Sequence, residues 1–173
     1  MKIYLIGMPG SGKSTIGKRL AYKLNMTFVD LDHYIENKKG MFIEDMIENY
    51  GEDVFREAET ECLSEIKTDH TVISTGGGIV TRKQNKALMD GIKVYIDVPI
   101  ETLKKRLSNS YQRPLLKTIS LEELYDARFL KYQNFADVIV RNSDDIDQCV
   151  DDIIEASKEW MNKWKLLLLM VLT

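Results

Sequence analysis

The residues best suited to chemistry lie near the start of the chain, in the run GMPGSGKS from Gly7 to Ser14. This run fits the phosphate-loop pattern G-x-x-x-x-G-K-[ST], and it stands between a predicted strand and a predicted helix, the context that supports the motif. Because glycine has no Cβ, backbone N–H groups in such a loop can turn toward phosphate oxygens, and the following helix adds its positive dipole end. The chemistry indicated is the binding of a nucleoside triphosphate.

The side chains of this loop predict separate tasks. Lys13 is expected to reach the β- and γ-phosphates and to neutralise charge as the γ-phosphoryl group leaves, whereas the Ser14 hydroxyl is expected to ligate Mg²⁺. Thr15 is expected to hydrogen-bond near the α-phosphate. The backbone that surrounds the phosphates is expected from Gly10, Ser11 and Gly12. A glycine-rich turn with an incidental lysine is the alternative, which the strand–loop–helix setting disfavours.

Two carboxylates follow in FVDLDHYIE, where Asp30 and Asp32 come at the end of a predicted strand. In open α/β sheets, ligands bind at the carboxyl ends of the strands. Residues two apart in a strand face the same way, so both carboxylates could face one site. One could hold a metal-bound water and the other an acceptor hydroxyl. Alternatively, Asp32 caps the helix that follows.

Two further motifs could bind an acceptor molecule. In GEDVFREAE, Arg56 and Glu59 are three residues apart on a predicted helix, so the glutamate could hold the arginine ready for a carboxylate; a solvated surface pair is the alternative. In VISTGGGIV, Gly76, Gly77 and Gly78 indicate close approach by backbone or ligand, and a plain turn is the alternative.

The elements that must position these motifs alternate along the chain. The expected strands are Ile3–Ile6, Thr27–Asp30, Thr71–Ser74, Lys93–Val98 and Asp137–Val140. The expected helices are Lys13–Leu24, Ile43–Lys67, Arg82–Met89, Glu101–Arg106, Ser120–Phe135 and Asp144–Trp164. Strands that alternate with helices predict parallel β-α-β units, and hence an α/β fold.

The motifs in their order resemble one known family. The sequence is similar to the shikimate kinases in GMPGSGKS, FVDLD, FREAE, TGGG, the RPLL run that begins at Arg113, and the placing of Arg128 before Tyr132. The resemblance covers about residues 1–155. Where the family usually has Arg-x-Pro-Leu-Tyr, this chain has Leu130 in place of the proline.

The resemblance implies a P-loop NTPase fold of the nucleoside-monophosphate-kinase type, with a five-stranded parallel sheet flanked by helices. The implied reaction moves the ATP γ-phosphoryl group to the 3-hydroxyl of shikimate, with Mg²⁺, in the biosynthesis of chorismate and the aromatic amino acids. The implied catalytic residues are Lys13, Asp32 and Arg113.

The resemblance also assigns contacts residue by residue. Asp32 would hold the shikimate hydroxyls, Arg56 and Arg128 would clamp its carboxylate, and Gly76, Gly77 and Gly78 would contact the ring. Glu59 would orient Arg56, Asp30 would hold Mg²⁺ through water, Arg113 would reach the phosphates, and Arg106 would lie over the adenine. The expected organisation is a kinase domain over 1–165, with an acceptor-binding segment at 31–62 and a lid at 108–119, followed by an apolar tail at 166–173.

Length, charge and cysteine content limit the class of protein and its cellular location. The chain has 173 residues and a net charge of -3, which fits one domain and argues against a nucleic-acid surface. The tail is too short for a membrane span, and the start resembles a core strand rather than a signal peptide. The two cysteines, Cys62 and Cys149, suggest neither a disulfide framework nor a zinc site. We therefore expect a monomeric, cytoplasmic protein.

Two other functions remain open at this point. A nucleotide or gluconate kinase of the same fold would bind its acceptor with other residues. An ATP-binding module without catalysis would not require the acceptor motifs. A GTPase switch is disfavoured, because none of the Asn-Lys pairs begins the guanine-reading sequence N-K-x-D.

Overall fold

A single five-stranded sheet forms the centre of the computed structural model, which describes residues 1–108, 119–142 and 145–171. The strands are β1 (Lys2–Ile6), β2 (Thr27–Asp30), β3 (Thr71–Ser74), β4 (Ile92–Asp97) and β5 (Val138–Arg141). They lie in the order β2-β3-β1-β4-β5, and every neighbouring pair is parallel. The predicted α/β fold with a five-stranded parallel sheet is therefore confirmed.

Position in the sheet explains the composition of each strand. The central strands β1 and β3 are buried throughout, and β4 is buried at all but its last residue. The edge strands β2 and β5 are partly exposed. Strands covered on both faces need apolar side chains on both faces, so the three central strands are the ones with apolar runs.

Helices cover both faces of the sheet. Their bounds are α1 (Lys13–Leu24), α2 (Leu31–Lys39), α3 (Ile43–Tyr50), α4 (Glu52–Glu65), α5 (Asn85–Leu88), α6 (Ile100–Leu107), α7 (Leu121–Phe135) and α8 (Ile146–Val171), with a 3₁₀ helix at Ile79–Thr81. Ser120 caps α7 through a reciprocal pair of bonds with Glu123. α1 lies directly after the phosphate loop, and α2 directly after β2, so the chemistry-bearing residues meet at the carboxyl ends of the strands.

Two predicted helices differ from the structure. The expected helix at 43–67 is two helices, because Gly51 has φ 90 and ψ 163, outside the helical region. The expected helix at 82–89 is helical only at Asn85–Leu88, where the amides of Asn85 and Lys86 bond three residues back, to the carbonyls of Arg82 and Lys83. Bonds of that type make short turns rather than long helices.

The last helix continues into the apolar tail. α8 runs from Ile146 to Val171, so residues 166–171 extend the helix beyond its predicted end at Trp164. In the described part of the chain, no helix is long and apolar enough to cross a membrane. The predicted lid at 108–119, with Arg113, lies almost wholly outside the described residues.

Candidate active site

The loop after β1 has the backbone that its glycines predict. Gly10 has φ 81 and Gly12 has φ 91, values that glycine adopts at little cost and other residues rarely adopt. α1 begins immediately afterwards, at Lys13. The N–H groups of a helix's first turn have no partner within the helix, so they can bind an anion. The structure thus places the predicted strand, loop and helix in the order that a triphosphate site requires.

Lys13 lies beneath this loop. Its side chain is buried, and Nζ donates to the carbonyls of Gly7 at 2.8 Å and Met8 at 2.9 Å. These bonds turn the two carbonyls toward the ammonium group and bring its charge against the loop. Thr15, by contrast, lies exposed at the edge of the cleft. The phosphate contacts of Lys13 and Thr15 stay predictions.

Two side chains from distant segments also bond the loop. Arg106, near the end of α6, donates from a guanidinium nitrogen to the Gly10 carbonyl at 3.0 Å. Asn142, just after β5, is buried and donates from Nδ2 to the Ser11 carbonyl at 3.0 Å. Each bond fixes a carbonyl of the loop. The expected position of Arg106 over an adenine stays a prediction.

Three oxygen-bearing side chains meet where a metal ion was expected. The Ser14 hydroxyl donates to Asp30 Oδ2 at 2.6 Å and lies 3.2 Å from the Ser74 hydroxyl. Mg²⁺ prefers oxygen ligands and keeps several waters. A hydroxyl beside a carboxylate at the end of the phosphate loop therefore fits Mg²⁺, with the remaining positions left for water and phosphate oxygens.

We expected the two aspartates to lie on one strand, but the structure places only Asp30 on it. β2 ends at Asp30 and α2 begins at Leu31, so Asp32 is in the first turn of a helix. The alternative role for Asp32 is also wrong, since the carboxylate of Asp30 accepts the capping bond from the His33 amide. The helical turn nonetheless brings both carboxylates to the same cleft.

Asp32 has an unusual environment. Its Oδ1 is buried and makes no hydrogen bond within the described residues. Burial, and then the charge of Asp30, raise the pKa of Asp32 from 3.8 to about 6, while Lys13 and Arg56 act in the opposite direction. An acceptor without a donor in a protein interior is costly, so this carboxylate, which also lines the cleft, has unused capacity to accept a hydrogen bond.

Arg56 is held from two sides on α4. One guanidinium nitrogen donates to Glu59 Oε2 at 2.9 Å, and Nε and the other nitrogen donate to Glu52 Oε1 at 3.1 Å and 3.0 Å. The side chains of Arg56 and Glu59 are 5% and 0% exposed, so the alternative of a solvated surface pair is wrong. A guanidinium fixed in this way loses little freedom when it binds a second carboxylate.

Glu59 is the second carboxylate with an unsatisfied oxygen. Its Oε1 is buried and has no hydrogen-bond partner in the part of the chain described. Burial raises the pKa of Glu59 to about 7, with a smaller contribution from the charge of Asp32 and against the opposing effect of Arg56. A Cβ on Gly76 would lie 2.7 Å from Asp32 Oδ1 and 2.8 Å from Glu59 Oε1, so both oxygens point at this glycine.

Each of the three consecutive glycines makes a close approach. A Cβ on Gly78 would lie 2.1 Å from the Arg56 guanidinium, and one on Gly77 would lie 2.7 Å from Cδ of Pro9 in the phosphate loop. Real Cβ contacts are essentially never this short, so a side chain at Gly78 or Gly77 would force the held Arg56 guanidinium or the Pro9 ring to move. The expectation of close approach is confirmed, and the glycine segment packs on the phosphate loop itself.

Arg128 reaches the same segment from α7. Its buried guanidinium donates to the Gly77 carbonyl at 3.0 Å. Tyr132, one turn later and fully buried, donates its hydroxyl to the same oxygen. The predicted acceptor residues Asp32, Arg56 and Arg128 thus surround one stretch of backbone, although they come from three helices.

One cleft joins the two groups of residues. It has a volume of about 270 Å³. Its lining residues are Gly10, Gly12, Lys13, Ser14, Thr15, Asp30, Asp32, Ser74, Thr75 and Gly77. Lys13 and Arg56 both influence the pKa of Asp32, so the phosphate side and the acceptor side act on the same carboxylate. A triphosphate loop that shares its cleft with the carboxylate of Asp32, on which the held guanidinium of Arg56 acts, defines an ATP-dependent kinase of the P-loop class with a small-molecule acceptor.

Comparison with known proteins gives the family. A family model described as Shikimate kinase matches residues 9–158. This chain belongs to the shikimate kinase family. It is 44% identical over 164 residues to a shikimate kinase of Rippkaea orientalis, a match that covers 90% of this chain and 87% of that protein. It is 47% identical over 131 residues to one of Sulfurihydrogenibium, with 73% and 79% covered.

Solved structures agree. A shikimate kinase from Acinetobacter baumannii in complex with shikimate is similar with a TM-score of 0.79 and 32% identity, over 99% of this chain and 95% of that one. The shikimate kinase of Aquifex aeolicus has a TM-score of 0.80 and 35% identity, with 90% and 95% covered. A gluconokinase from Sinorhizobium meliloti, at 15% identity and a TM-score of 0.54, shares the fold alone.

Sequence reasoning missed several residues that shape the site. Asn142 gave no signal, because its partner Ser11 is 131 positions away. Ser74 closes β3 without a motif of its own, and Pro9 occupies a variable position of the phosphate pattern. Glu52 stands four residues before Arg56 on α4, a helical spacing that could have identified it as a partner.

Proposed function

We propose that this kinase transfers the γ-phosphoryl group of ATP to the 3-hydroxyl of shikimate, giving shikimate 3-phosphate and ADP. The observation that carries the proposal is the buried Arg56–Glu59 pair, set against a glycine segment that packs on the phosphate loop. A phosphate loop is common to many kinases, whereas this pair supplies a site for a small acceptor acid. The similarity to a shikimate kinase solved with shikimate supports the same acceptor.

The acceptor roles follow from charge and hydrogen bonding. Shikimate carries one carboxylate and several hydroxyls, so it needs guanidinium donors for the first and acceptors for the second. We assign the carboxylate to Arg56 and Arg128, and the ring to the backbone of residues 76–78. Glu59 keeps Arg56 in place through its bond of 2.9 Å.

Asp32 is assigned to the reacting hydroxyl. Its carboxylate lines the cleft and accepts that hydroxyl's hydrogen bond, which turns the hydroxyl oxygen toward the γ-phosphorus. With a pKa raised to about 6, Asp32 is mostly ionised at neutral pH and can still take up a proton as the new O–P bond forms. The proton moves from the 3-hydroxyl oxygen to the Asp32 carboxylate. The bond between the γ-phosphorus and the bridging oxygen breaks, and its electron pair leaves with ADP.

The phosphate side stabilises the charge that develops on the leaving group. We assign the triphosphate to the backbone of Gly10, Ser11 and Gly12 and to the side chains of Lys13 and Thr15. Ser14 and Asp30 would hold Mg²⁺, Asp30 through water, and the ion would neutralise phosphate charge. We assign Arg106 to the adenine. In the structure its guanidinium group bonds the Gly10 carbonyl of the phosphate loop.

Three further assignments remain part of the proposal. The kinase domain at 1–165 carries an acceptor-binding segment at 31–62, and Arg113 contributes to phosphate binding from outside the described residues. The protein acts as a monomer, which light scattering after gel filtration would test. A cytoplasmic location fits the two cysteines, Cys62 and Cys149, which are both free and buried.

A coupled assay of ADP release tests the proposal. Purified protein is given ATP, Mg²⁺ and, in turn, shikimate, gluconate and nucleoside monophosphates, and the product's phosphate position is read by NMR. We expect turnover with shikimate alone. Turnover with another acceptor would refute the substrate, and none with any acceptor would refute the catalytic function.

A charge-matched pair of variants tests the acceptor clamp. Arg56→Gln loses a charged hydrogen-bonding group, which is worth about 1.5–3 kcal/mol, so KM for shikimate should rise about 10- to 100-fold. Arg82→Gln removes the same charge from a side chain that bonds the Asp53 carbonyl instead, and its KM should not change. Equal kinetics for the two variants would contradict the assignment.

A further inference from the structure

The Gly77 carbonyl accepts two hydrogen bonds from one helix. Arg128 and Tyr132 are four residues apart on α7, so their side chains lie on the same helix face. Arg128 donates to the Gly77 oxygen at 3.0 Å, and the Tyr132 hydroxyl donates to the same atom. A carbonyl oxygen has two lone pairs, and here both have a buried donor.

This pair of bonds sets the direction of the next peptide N–H group. In a trans peptide the C=O and the following N–H point in opposite directions, and the described residues contain no cis peptide. With the Gly77 oxygen turned toward α7, the Gly78 N–H is turned away from α7. Gly78 is buried, and its amide has no acceptor within the part of the chain that the structure describes.

We propose that Tyr132 is a positioning residue for acceptor binding: its hydroxyl, together with Arg128, fixes the Gly77–Gly78 peptide so that the Gly78 N–H faces the acceptor. The inference rests on the proposed function and adds a residue to which that function assigned no role. The ligand group that such an amide would meet is an oxygen acceptor of the bound acid, its carboxylate or a hydroxyl.

The surroundings of Tyr132 separate positioning from packing. Its ring stacks on that of Tyr95 with centroids 5.1 Å apart and an angle of 16°. Burial raises the pKa of Tyr132, so the phenol stays protonated and donates. A phenylalanine would keep the ring stack and lose the hydroxyl, with its bond to the Gly77 carbonyl and its interaction with Arg128. The hydroxyl can therefore be removed without opening a cavity.

The test is Tyr132→Phe, with Tyr4→Phe as a matched control. Tyr4 is also fully buried, and its hydroxyl bonds Asp90 at 2.8 Å, away from the cleft. One neutral hydrogen bond corresponds to a change of about 3- to 10-fold. We expect Tyr132→Phe to raise KM for the acceptor by about that factor, with kcat and KM for ATP within about twofold of wild type. Tyr4→Phe should leave all three constants unchanged.

A second measurement needs no acceptor. In ¹⁵N-labelled protein, Tyr132→Phe should shift the Gly78 amide resonance and speed its hydrogen exchange, whereas Tyr4→Phe should do neither. If the wild type phosphorylates no acceptor, the proposed function fails and this measurement alone decides the inference. An unchanged acceptor KM in an active enzyme, or a Gly78 amide that exchanges at the wild-type rate in both variants, would overturn the positioning role.

Discussion

Replacing Asp32 with asparagine should make the protein more stable while it stops the reaction. The carboxylate has a buried oxygen without a donor, and burial raises its pKa from 3.8 to about 6. Asparagine has the same shape and no charge, so it removes the cost of ionisation in this position. It also removes the group that we assign to the acceptor hydroxyl, and turnover should fall about 100-fold or more.

The size of the stability change follows from these two pKa values. A carboxyl whose pKa is higher in the folded state takes up protons on folding, so the wild type loses stability as pH rises from about 4 to about 6. The total loss is about 3 kcal/mol, at about 1.4 kcal/mol for each pH unit. Roughly half of it falls between pH 5 and 7.5, which corresponds to about 3–6 °C in Tm. Asp32→Asn should not show this loss.

Thermal melting of both proteins across pH 5 to 7.5 is the measurement. The Tm difference should grow in favour of the variant up to about pH 6.5 and then level off. Glu59 should add to this difference in Tm. The charge of Asp32 helps to raise the pKa of Glu59, so Asp32→Asn removes part of that destabilisation as well. Asp90→Asn is a control for which the stability change should have the opposite sign. Hydrogen bonds from Lys2 and Tyr4 lower the pKa of Asp90, so this variant should be less stable than the wild type at neutral pH.

Two results would refute this reasoning. A Tm difference that stays constant from pH 5 to 7.5 would mean that the Asp32 carboxylate is not destabilised by burial. A variant that binds shikimate normally and keeps full turnover would remove Asp32 from the reaction, whatever its stability.

Three other variants have defined outcomes. Gly78→Ala would place a methyl group within 2.3 Å of three guanidinium atoms of Arg56, so kcat/KM for the acceptor should fall about 100-fold. Gly40→Ala has open space around it and φ 64, so it should lower stability by about 1–2 kcal/mol in melting curves without changing kinetics. Asn142→Ala should raise KM for ATP about 3- to 10-fold and leave the acceptor KM unchanged, since it loses one bond to Ser11; an unchanged ATP KM would contradict that role.

Local patterns explain how much of the fold was predictable. The strands at Thr27–Asp30 and Thr71–Ser74 and the helix at Lys13–Leu24 have their predicted bounds. Each is marked by neighbouring residues, such as Gly12 before the helix and the glycine segment shortly after β3. Gly51 marks the end of a helix equally clearly. The predicted helix at 43–67 continued through this glycine and was therefore wrong there.

The site was less predictable where it depends on packing. Spacing on a helix paired Arg56 with Glu59, but burial turned a common surface arrangement into a held guanidinium, and burial is a property of the whole fold. For Asp32, strand periodicity predicted the correct cleft for the wrong reason, since a helix begins one residue earlier. Asn142 has no local pattern that relates it to the phosphate loop.

The contact between Gly77 and Pro9 has a consequence for inhibitor design. Because the Gly77 backbone lies directly against the Pro9 ring, only that small ring separates the phosphate loop from the glycine segment there. A compound that joins a phosphate mimic to a hydroxylated acid would therefore need only a short, stiff linker. Joining two weak fragments raises the effective concentration of the second once the first is bound, and a short linker gives the largest gain.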